Sequence, residues 1–258
     1  HAPLDTYFYY TKEKNDHTLH LRVFQWQEPI PLSDILPMLE NLGLRTYKER
    51  PSKITLANDE YVWISDYTVV FATSSEFDLN KAKELFRDAL KNIHSGTCEN
   101  DGLNKLVLGA LLSWRQITIL RAYAKYLRQI GFRFTQAYIE KALLDNPTIT
   151  QDLISFFRSR NLIVKKKIAL EHPEDIEKRI LRALESVTSL DEDRIFRRLL
   201  ELMKATLRTN YFQLTEDQKP KDYLSFKLSS REISDFPQPS PLYEIFVYSP
   251  RFEAIHLR

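Results

Sequence analysis

The sequence is poor in glycine and has a single cysteine, and each scarcity excludes a class of protein. The five glycines are widely spaced, and no two lie close enough for the G-x-G-x-x-G turn or the P-loop that cradles nucleotide phosphates. We therefore expect no glycine-rich phosphate site. Cys98 stands alone and cannot form a disulfide within the chain. Such cysteine usage is typical of the reducing cytoplasm, which we predict as the location.

Long apolar runs and an excess of one charge are also lacking. No run approaches the roughly 20 apolar residues of a membrane helix, so we predict no membrane partner. The net charge is only +2, and the 28% charged residues mix both signs. A nucleic-acid surface usually needs a clustered basic excess, which makes nucleic acid an unlikely partner. The chain is 43% hydrophobic and 12% aromatic, which is enough for a packed core.

The first part of the chain predicts an α+β module over residues 17–98. Strands are indicated by alternating or β-branched and aromatic segments, and helices by apolar residues at three- and four-residue steps. The predicted elements are strand 17–27, helix 32–42, strands 44–56 and 60–72, which form a hairpin, and helix 80–94. This β-α-β-β-α order is typical of the ferredoxin-like fold, in which helices cover one face of an antiparallel sheet.

The ends of this module carry two further expectations. A last strand would complete the ferredoxin-like sheet, and none is evident after His94. Residues 1–16 are interpreted as an N-terminal tail or the end of a preceding strand. Within the module, Ser33 is the predicted N-cap of the first helix and Gly43 its C-terminal stop.

Residues 99–212 predict a helical domain. Its best-defined helix lies within residues 111–131, where Ser113 and Gln116 have the spacing of a capping box. Gly131 follows the last apolar position, where a left-handed residue commonly ends a helix. The remaining residues, 213–258, predict short strands punctuated by prolines, and the last of these, at 251–258, has no evident partner. Because an unpaired apolar strand promotes aggregation, we expect the chain to be a piece of a longer one, cut within a domain.

No catalytic constellation is evident, and two basic segments are the main candidates for binding. Arg121, Lys125 and Arg128 are predicted to share one face of the central helix as a basic surface. Basic and aromatic residues interleave there, as in nucleic-acid-binding helices. An amphipathic helix with aromatics inward and solvated bases explains the pattern better, because the two sets separate onto two faces. Lys165–Lys167 with Arg158 and Arg160 form the most basic run, which is either a solvated helix end or part of such a surface.

Metal ligation is not predicted. His17 and His20 with Glu28, or His94 with Cys98, have ligand chemistry, but neither group has a companion at a credible second spacing. We therefore assign no metal, catalytic or cofactor-binding residues to this chain.

Several blocks of the sequence, in order along the chain, resemble the large NAD-specific glutamate dehydrogenases of bacteria. The blocks are PLSDILP at 31–37, ENLGLR at 40–45, LSWR at 112–115, LRAYAKYLRQ at 120–129, LRTNYFQ at 207–213, YLSFK at 223–227 and PLYEIFVYSPR at 241–251. Together they span nearly the whole chain. The resemblance implies a last ACT-like module, a helical segment and the start of a catalytic domain.

The resemblance also implies what the chain lacks. In that family the catalytic lysine and the nucleotide-binding domain follow the segment that ends here, so the parent protein would use NAD to oxidise glutamate. No cofactor is expected in this fragment, which should be inactive alone. As a regulatory or assembly segment it would contact the remainder of its own chain, form homo-oligomers in the full-length protein and bind an amino-acid effector. The effector or interface residues implied are Ser33, Asp34 and Gly43.

A different class of function stays open at this point. The chain could be a stand-alone nucleic-acid-binding α+β protein that uses the helix at 114–128 and the basic segment at 158–167. Binding that weakens steeply with rising salt would indicate this alternative.

Overall fold

A computed structural model of the chain describes residues 4–11, 18–57, 59–72, 79–162 and 171–258, with the side chains of residues 79 and 80 excepted. These residues form two compact units, His1–Ile117 and Thr118–Arg258, and each unit contains its own antiparallel four-stranded sheet. The division between the two units, after Ile117, falls inside a helix. The domain boundaries that the sequence predicts after residues 98 and 212 stay predictions. The α+β class predicted from the sequence is confirmed.

The first unit begins with the α+β module. Its elements are β1 (Leu4–Tyr10), β2 (Leu19–Trp26), α1 (Leu32–Asn41), β3 (Leu44–Thr55), β4 (Tyr61–Phe71) and α2 (Leu79–His94). The short helix α3 (Leu106–Gly109) and the first residues of α4 (Trp114–Gln129) follow. The predicted hairpin is present, because β3 and β4 pair from Leu44 opposite Phe71 to Thr55 opposite Tyr61. Residues 12–17, which include the predicted start of the strand at 17–27, lie outside the described residues.

The sheet has the order β1-β2-β4-β3, and its fourth strand comes from the N-terminus. Residues 4–10 of the segment interpreted as a tail or the end of a preceding strand form β1, which pairs along its whole length with β2 of the same sheet. Strand β1 lies beside β2, at the edge of the sheet that the last strand of a ferredoxin-like fold, expected after His94, would occupy. The inward alternation of Leu4 and Phe8, both buried, was obscured by the tyrosines and charges between and after them.

The two helices of the module cover one face of the sheet. On β2 the buried residues Leu19, Leu21 and Val23 alternate with partly exposed ones, so the two faces differ. Phe8, which lies opposite Leu21, packs edge-to-face on Phe86 of α2 with ring centroids 4.9 Å apart. This contact identifies the face of Leu21 as the helix-covered one and leaves the other face of the sheet open.

Helix α1 differs from its prediction at one end. Its N-cap is Pro31 rather than Ser33, and no side chain caps it. Proline is well suited to this position, because its ring fixes φ at a value that suits the extended residue before a helix. Because the helix begins at Leu32, Pro37 lies in its second turn. The predicted stop is correct, because Gly43 has φ +89° and its N–H donates to the carbonyl of Glu40 at 3.0 Å.

The second unit consists of helices packed with a second sheet. After most of α4 come α5 (Gln136–Asp145), α6 (Pro147–Leu162), α7 (Pro173–Leu184), α8 (Leu190–Ala205), β5 (Thr206–Thr209), β6 (Leu224–Ser229), β7 (Tyr243–Ser249) and β8 (Phe252–Leu257). The strand order is β5-β6-β7-β8. The expectation of an unpaired last strand is wrong, since β8 pairs with β7 from Ser249 opposite Phe252 to Glu244 opposite Leu257. Strand β5 was not predicted, because its four residues continue the helical pattern of α8.

Helix α4 begins and ends as its sequence predicts. The N–H of Ser113 donates to Oε1 of Gln116 at 2.8 Å, and the N–H of Gln116 donates to Oγ of Ser113 at 3.3 Å. These two bonds are the reciprocal pair of a capping box. At the other end Gly131 has φ +78°, and the N–H of Phe132 reaches back to the carbonyl of Leu127 at 2.9 Å. This is a Schellman motif, which satisfies the last carbonyls of the helix.

Candidate functional site

The three predicted effector residues lie at opposite ends of one helix. Ser33 and Asp34 belong to the first turn of α1, and both are exposed. Gly43 follows the C-terminus of the same helix and is buried. A ten-residue helix is about 15 Å long. The three residues therefore do not form one site, and only the N-terminal pair presents polar groups to solvent.

The N-terminus of α1 presents unpaired backbone donors beside a carboxylate. The N–H groups of Asp34 and Ile35 donate to the carbonyl of Pro31, at 2.9 and 3.1 Å. Those of Leu32 and Ser33 have no acceptor among the residues that the structure describes. Free N–H groups and the helix dipole attract an anion at this end. The carboxylate of Asp34, which accepts from Oγ of Ser33 at 3.1 Å, adds a site for a cation.

The negative charge of Asp34 also affects the pKa of His94, the last residue of α2. Burial lowers the pKa of His94, and the negative charge of Asp34 opposes that effect without overcoming it. The two groups therefore interact electrostatically, and His94 stays neutral at physiological pH.

A polar network lies on the open face of the same sheet. Asp66 of β4 is its centre, and it receives the hydroxyl of Tyr9 at 2.5 Å and Nη2 of Arg22 at 2.7 Å. Nδ1 of His20 lies 3.1 Å from the other carboxylate oxygen, and Nε2 of His20 lies 2.9 Å from the hydroxyl of Thr11. The ring of Tyr9 stacks on His20 with centroids 4.9 Å apart. The network thus joins three neighbouring strands through one carboxylate.

The electrostatics of this network favour the charged form of Asp66. Burial acts to raise the pKa of Asp66, but the hydrogen bonds from Tyr9 and Arg22 and the charge of Arg22 outweigh it, so the pKa lies below its ordinary value. The pKa of Tyr9 is raised by burial and by its hydrogen bond to Asp66. At neutral pH the network therefore contains an ionised carboxylate, a neutral phenol and a cationic guanidinium.

Apolar side chains surround the network on the open face. Ile54 of β3 and Val70 of β4 are 47% and 40% exposed, and Tyr7 of β1 is 57% exposed. Phe24 and Ile64 are opposite each other and half-buried. A sheet face that combines exposed apolar residues with an organised polar centre is typical of a protein interface.

The predicted basic surface on α4 is not formed as expected. Arg121 is completely buried. Nζ of Lys125 lies 3.3 Å from Oε1 of Glu253 on β8, and only Arg128 is exposed. Other elements of the second unit pack around α4, so only the C-terminal end of its basic stripe, at Arg128, faces solvent. The run Lys165–Lys167 lies outside the described residues. The nucleic-acid alternative therefore has no support in the described part of α4.

Two buried tyrosines of α4 form hydrogen bonds that the sequence did not predict. The hydroxyl of Tyr126 donates to Oε2 of Glu244 on β7 at 2.6 Å, and both side chains are buried. The hydroxyl of Tyr123 lies 2.7 Å from Oγ1 of Thr206, which itself donates to the carbonyl of Leu202. Burial raises the pKa of both tyrosines, and the carboxylate of Glu244 raises that of Tyr126 further. The sequence carries one sign of this burial: Glu244 and two aromatic residues occupy alternate positions of β7 and therefore share one face of the strand.

The described ranges contain no group of three or more His, Cys, Asp or Glu residues arranged to hold a metal. His17 lies outside those ranges, and His20 belongs to the Asp66 network. No helix in the described part of the chain is both long and apolar enough to cross a membrane.

Three family models match the chain in succession. Residues 3–82 match the ACT3 domain of glutamate dehydrogenase, and residues 98–161 match its helical motif 3. Residues 179–258 match the catalytic domain of bacterial NAD-glutamate dehydrogenase. The chain belongs to this dehydrogenase family.

Curated relatives agree with this assignment. The NAD-specific glutamate dehydrogenase of Halomonas elongata is 45% identical over 257 residues, which are 100% of this chain and 16% of that protein. The proteins of the same name from Pseudomonas aeruginosa and Mycobacterium tuberculosis are 43% and 38% identical, over 99% and 88% of this chain. The chain spans only about one sixth of the length of these dehydrogenases.

The names of these dehydrogenases include NAD, but the first unit has no glycine-rich turn of the kind that binds this dinucleotide. The turn from β2 to α1, residues 27–31, has two prolines and no glycine. Dinucleotide-binding turns between a strand and a helix need closely spaced glycines so that the backbone can approach the pyrophosphate. The residues of this turn therefore do not fit NAD in that manner.

Replacing Asp66 with asparagine tests the network on the open face. The variant removes the charged acceptor of Arg22, so we expect the free energy of unfolding of the first unit to fall by about 1 kcal/mol at neutral pH. Because the folded pKa of Asp66 is lowered, its contribution is present above the pKa of unfolded aspartate and is lost as pH falls through the folded value. The difference between variant and wild type should therefore shrink in acid.

Urea unfolding followed by tryptophan fluorescence measures this effect. All three tryptophans, Trp26, Trp63 and Trp114, lie in the first unit, so the signal reports on that unit alone. Asp59→Asn at the exposed hairpin turn is the matched control and should change stability little at any pH. A loss that is the same at neutral and acid pH would contradict the role of the charge.

Replacing Tyr126 with phenylalanine tests the buried bond between α4 and β7. The variant leaves the buried carboxylate of Glu244 without this donor, which should lower the free energy of unfolding by about 1–3 kcal/mol. Thermal unfolding by circular dichroism measures the loss. Tyr138→Phe is the control, since that hydroxyl makes no hydrogen bond among the described residues, and equal effects of the two variants would refute the special role of Tyr126.

Proposed function

We propose that this chain is a regulatory and assembly segment of a cytoplasmic NAD-dependent glutamate dehydrogenase. The whole protein would convert L-glutamate, NAD and water to 2-oxoglutarate, ammonia and NADH, as the names of its relatives suggest. The open sheet face of the ACT-like module, with an organised polar network among exposed apolar residues, is the observation that carries this proposal.

The chain alone is not proposed to catalyse this reaction. The resemblance that identifies the family implies that the catalytic lysine and the nucleotide-binding domain follow the segment matched here. Within the longer protein, the segment would work through contacts with the remainder of its own chain. The first unit would supply regulation and assembly, and the second unit, which contains the catalytic-domain match at residues 179–258, would join it to the rest of that domain.

An amino-acid effector would bind at the N-terminus of α1. Its α-carboxylate would accept from the N–H groups of Leu32 and Ser33, and its α-ammonium group would pair with the carboxylate of Asp34. The geometry supports this assignment, because donors and acceptor lie within one helical turn. Gly43 would not contact the effector, since it lies at the other end of the helix.

Assembly would use the open face of the sheet, and its partner would be a second copy of the module. The exposed apolar side chains of Tyr7, Ile54 and Val70 would be removed from water in the contact. Asp66 and its partners would stay paired within each copy, because a satisfied network can be buried at less cost than an unpaired charge. The full-length protein would then be a homo-oligomer.

Replacing Asp34 with asparagine tests the effector site. Amino acids that bind the chain at one hundred times their dissociation constant should stabilise it by about 2.7 kcal/mol, which raises the midpoint by roughly 5–10 °C. Asp34→Asn should remove most of this rise because it removes the partner of the ammonium group. Thermal unfolding with each common amino acid is the measurement.

Glu40→Gln, an exposed change at the far end of the same helix, is the control for this experiment. It should retain the full rise in midpoint. A rise that survives Asp34→Asn, or the absence of any rise with every amino acid, would reject the site at α1.

Replacing Val70 with lysine tests assembly through the sheet face. The wild-type chain should self-associate as its concentration rises through the micromolar range, and Val70→Lys should remain monomeric because a charge would be buried in the contact. Sedimentation equilibrium measures both. Leu190→Lys, at an exposed leucine of the second unit, should associate as the wild type does. Equal behaviour of wild type and Val70→Lys would exclude this face as the interface.

A further inference from the structure

The second unit contains a cleft lined by arginines that no feature of the proposed function uses. It has a volume of about 680 Å³ and lies between the segment that follows α4 and one face of α8. This volume is within the range of small-molecule sites. The lining includes Arg133, Arg194, Arg197, Arg198, Phe132 and Phe134.

The arginines come from two directions and converge on the cleft. Arg194, Arg197 and Arg198 belong to α8, and residues three and four apart share one helical face. Arg133 comes from the segment after α4, two residues beyond Gly131, the glycine that ends this helix. The rings of Phe132 and Phe134 beside it form an apolar part of the lining, with their centroids 5.2 Å apart.

Acidic partners hold these arginines in place without using all of their donors. Nη2 of Arg133 lies 3.0 Å from Oδ1 of Asp191, and Nη1 of Arg194 lies 3.5 Å from the same oxygen. Arg197 donates only through Nε, which lies 2.9 Å from both carboxylate oxygens of Asp193. Each guanidinium carries five N–H groups, so most of the donors on these three side chains have no acceptor among the described residues.

Arg198 is the least exposed arginine of the cleft. It pairs with Oε2 of Glu201 at 2.9 Å, and it also donates to the carbonyl of Ser234 and to Asp235. Glu201 in turn accepts from the N–H of Ser234 at 2.7 Å. Three of the five N–H groups of Arg198 are therefore used within the protein, and Arg133, Arg194 and Arg197 have more donors available to a ligand.

The unused guanidinium donors favour an anion. The lining holds four arginines and the two carboxylates of Glu201 and Asp235, while Asp191 and Asp193 pair with Arg133, Arg194 and Arg197 but leave most of their N–H groups unused. Guanidinium groups match the geometry of phosphate oxygens and bind them in pairs. The three available arginines remain about half exposed, so a ligand can reach them from solvent.

We propose that this cleft binds a phosphate-bearing small molecule, with its phosphate oxygens on Arg133, Arg194 and Arg197 and its organic part against Phe132 and Phe134. The site differs from the glycine-rich phosphate turns that the composition excludes, because its donors are side chains rather than backbone N–H groups. It is also separate from the effector site proposed at α1, which belongs to the other unit.

Isothermal titration calorimetry of the chain at low ionic strength tests this proposal. Pyrophosphate probes the phosphate subsite, ADP adds an organic part, adenosine lacks phosphate, and glutarate is a dicarboxylate of similar size. We expect saturable binding of pyrophosphate, tighter binding of ADP and none of adenosine. Arg197→Gln and Arg194→Gln should each weaken ADP binding about tenfold, because each removes a charge-assisted contact.

Arg182→Gln is the matched control, since Arg182 is an exposed arginine on α7 that does not line the cleft. It should change the affinity less than twofold, and unchanged circular dichroism should show that every variant is folded. Absence of pyrophosphate and ADP binding at millimolar concentration, or equal effects of Arg182→Gln and Arg197→Gln, would overturn the site. Glutarate binding more tightly than pyrophosphate would overturn the assignment to phosphate, and ADP binding no more tightly than pyrophosphate would overturn the role of the two rings.

Discussion

The second unit depends on one buried hydrogen bond between residues 118 positions apart, from Tyr126 of α4 to Glu244 of β7. A carboxylate removed from water is costly unless a donor meets it, and here the phenol of a neighbouring helix does so. Because the partners come from distant parts of the chain, the bond fixes how the helix lies on the sheet. The hydroxyl of Tyr123 acts in the same way on Thr206, one helical turn earlier.

In the first unit a tyrosine hydroxyl also donates to a carboxylate, but on the face of a sheet rather than in a core. Asp66 is only partly buried, and its partners come from two neighbouring strands on the open face of the sheet. The helix-covered face stabilises the module mainly by apolar contacts, while the open face carries the Asp66 network and the exposed apolar residues. This division leaves one face available for the proposed assembly without weakening the core.

Local sequence signals predicted most elements of the fold, and long-range packing decided the sites. The capping box at Ser113 and the left-handed Gly131 are confirmed because each depends on residues only a few positions apart. The exposure of Arg121 was predicted from helical periodicity and is wrong. Periodicity shows which residues share a face, but it cannot show that other elements will cover the polar face as well as the apolar one.

The sequence by itself determined the class of the fold, the hairpin of β3 and β4, the ends of α4 and the family, because these follow from short-range backbone chemistry and from runs of specific residues. Only the tertiary structure decided that β1 completes the first sheet, that Glu244 is buried and that arginines of α8 converge with Arg133 on one cleft. The last two join segments far apart in the chain, and no local pattern records which distant segment will supply the partner for a charge. Strand β1 pairs with the next strand, but the tyrosines and charges along it hid its inward alternation.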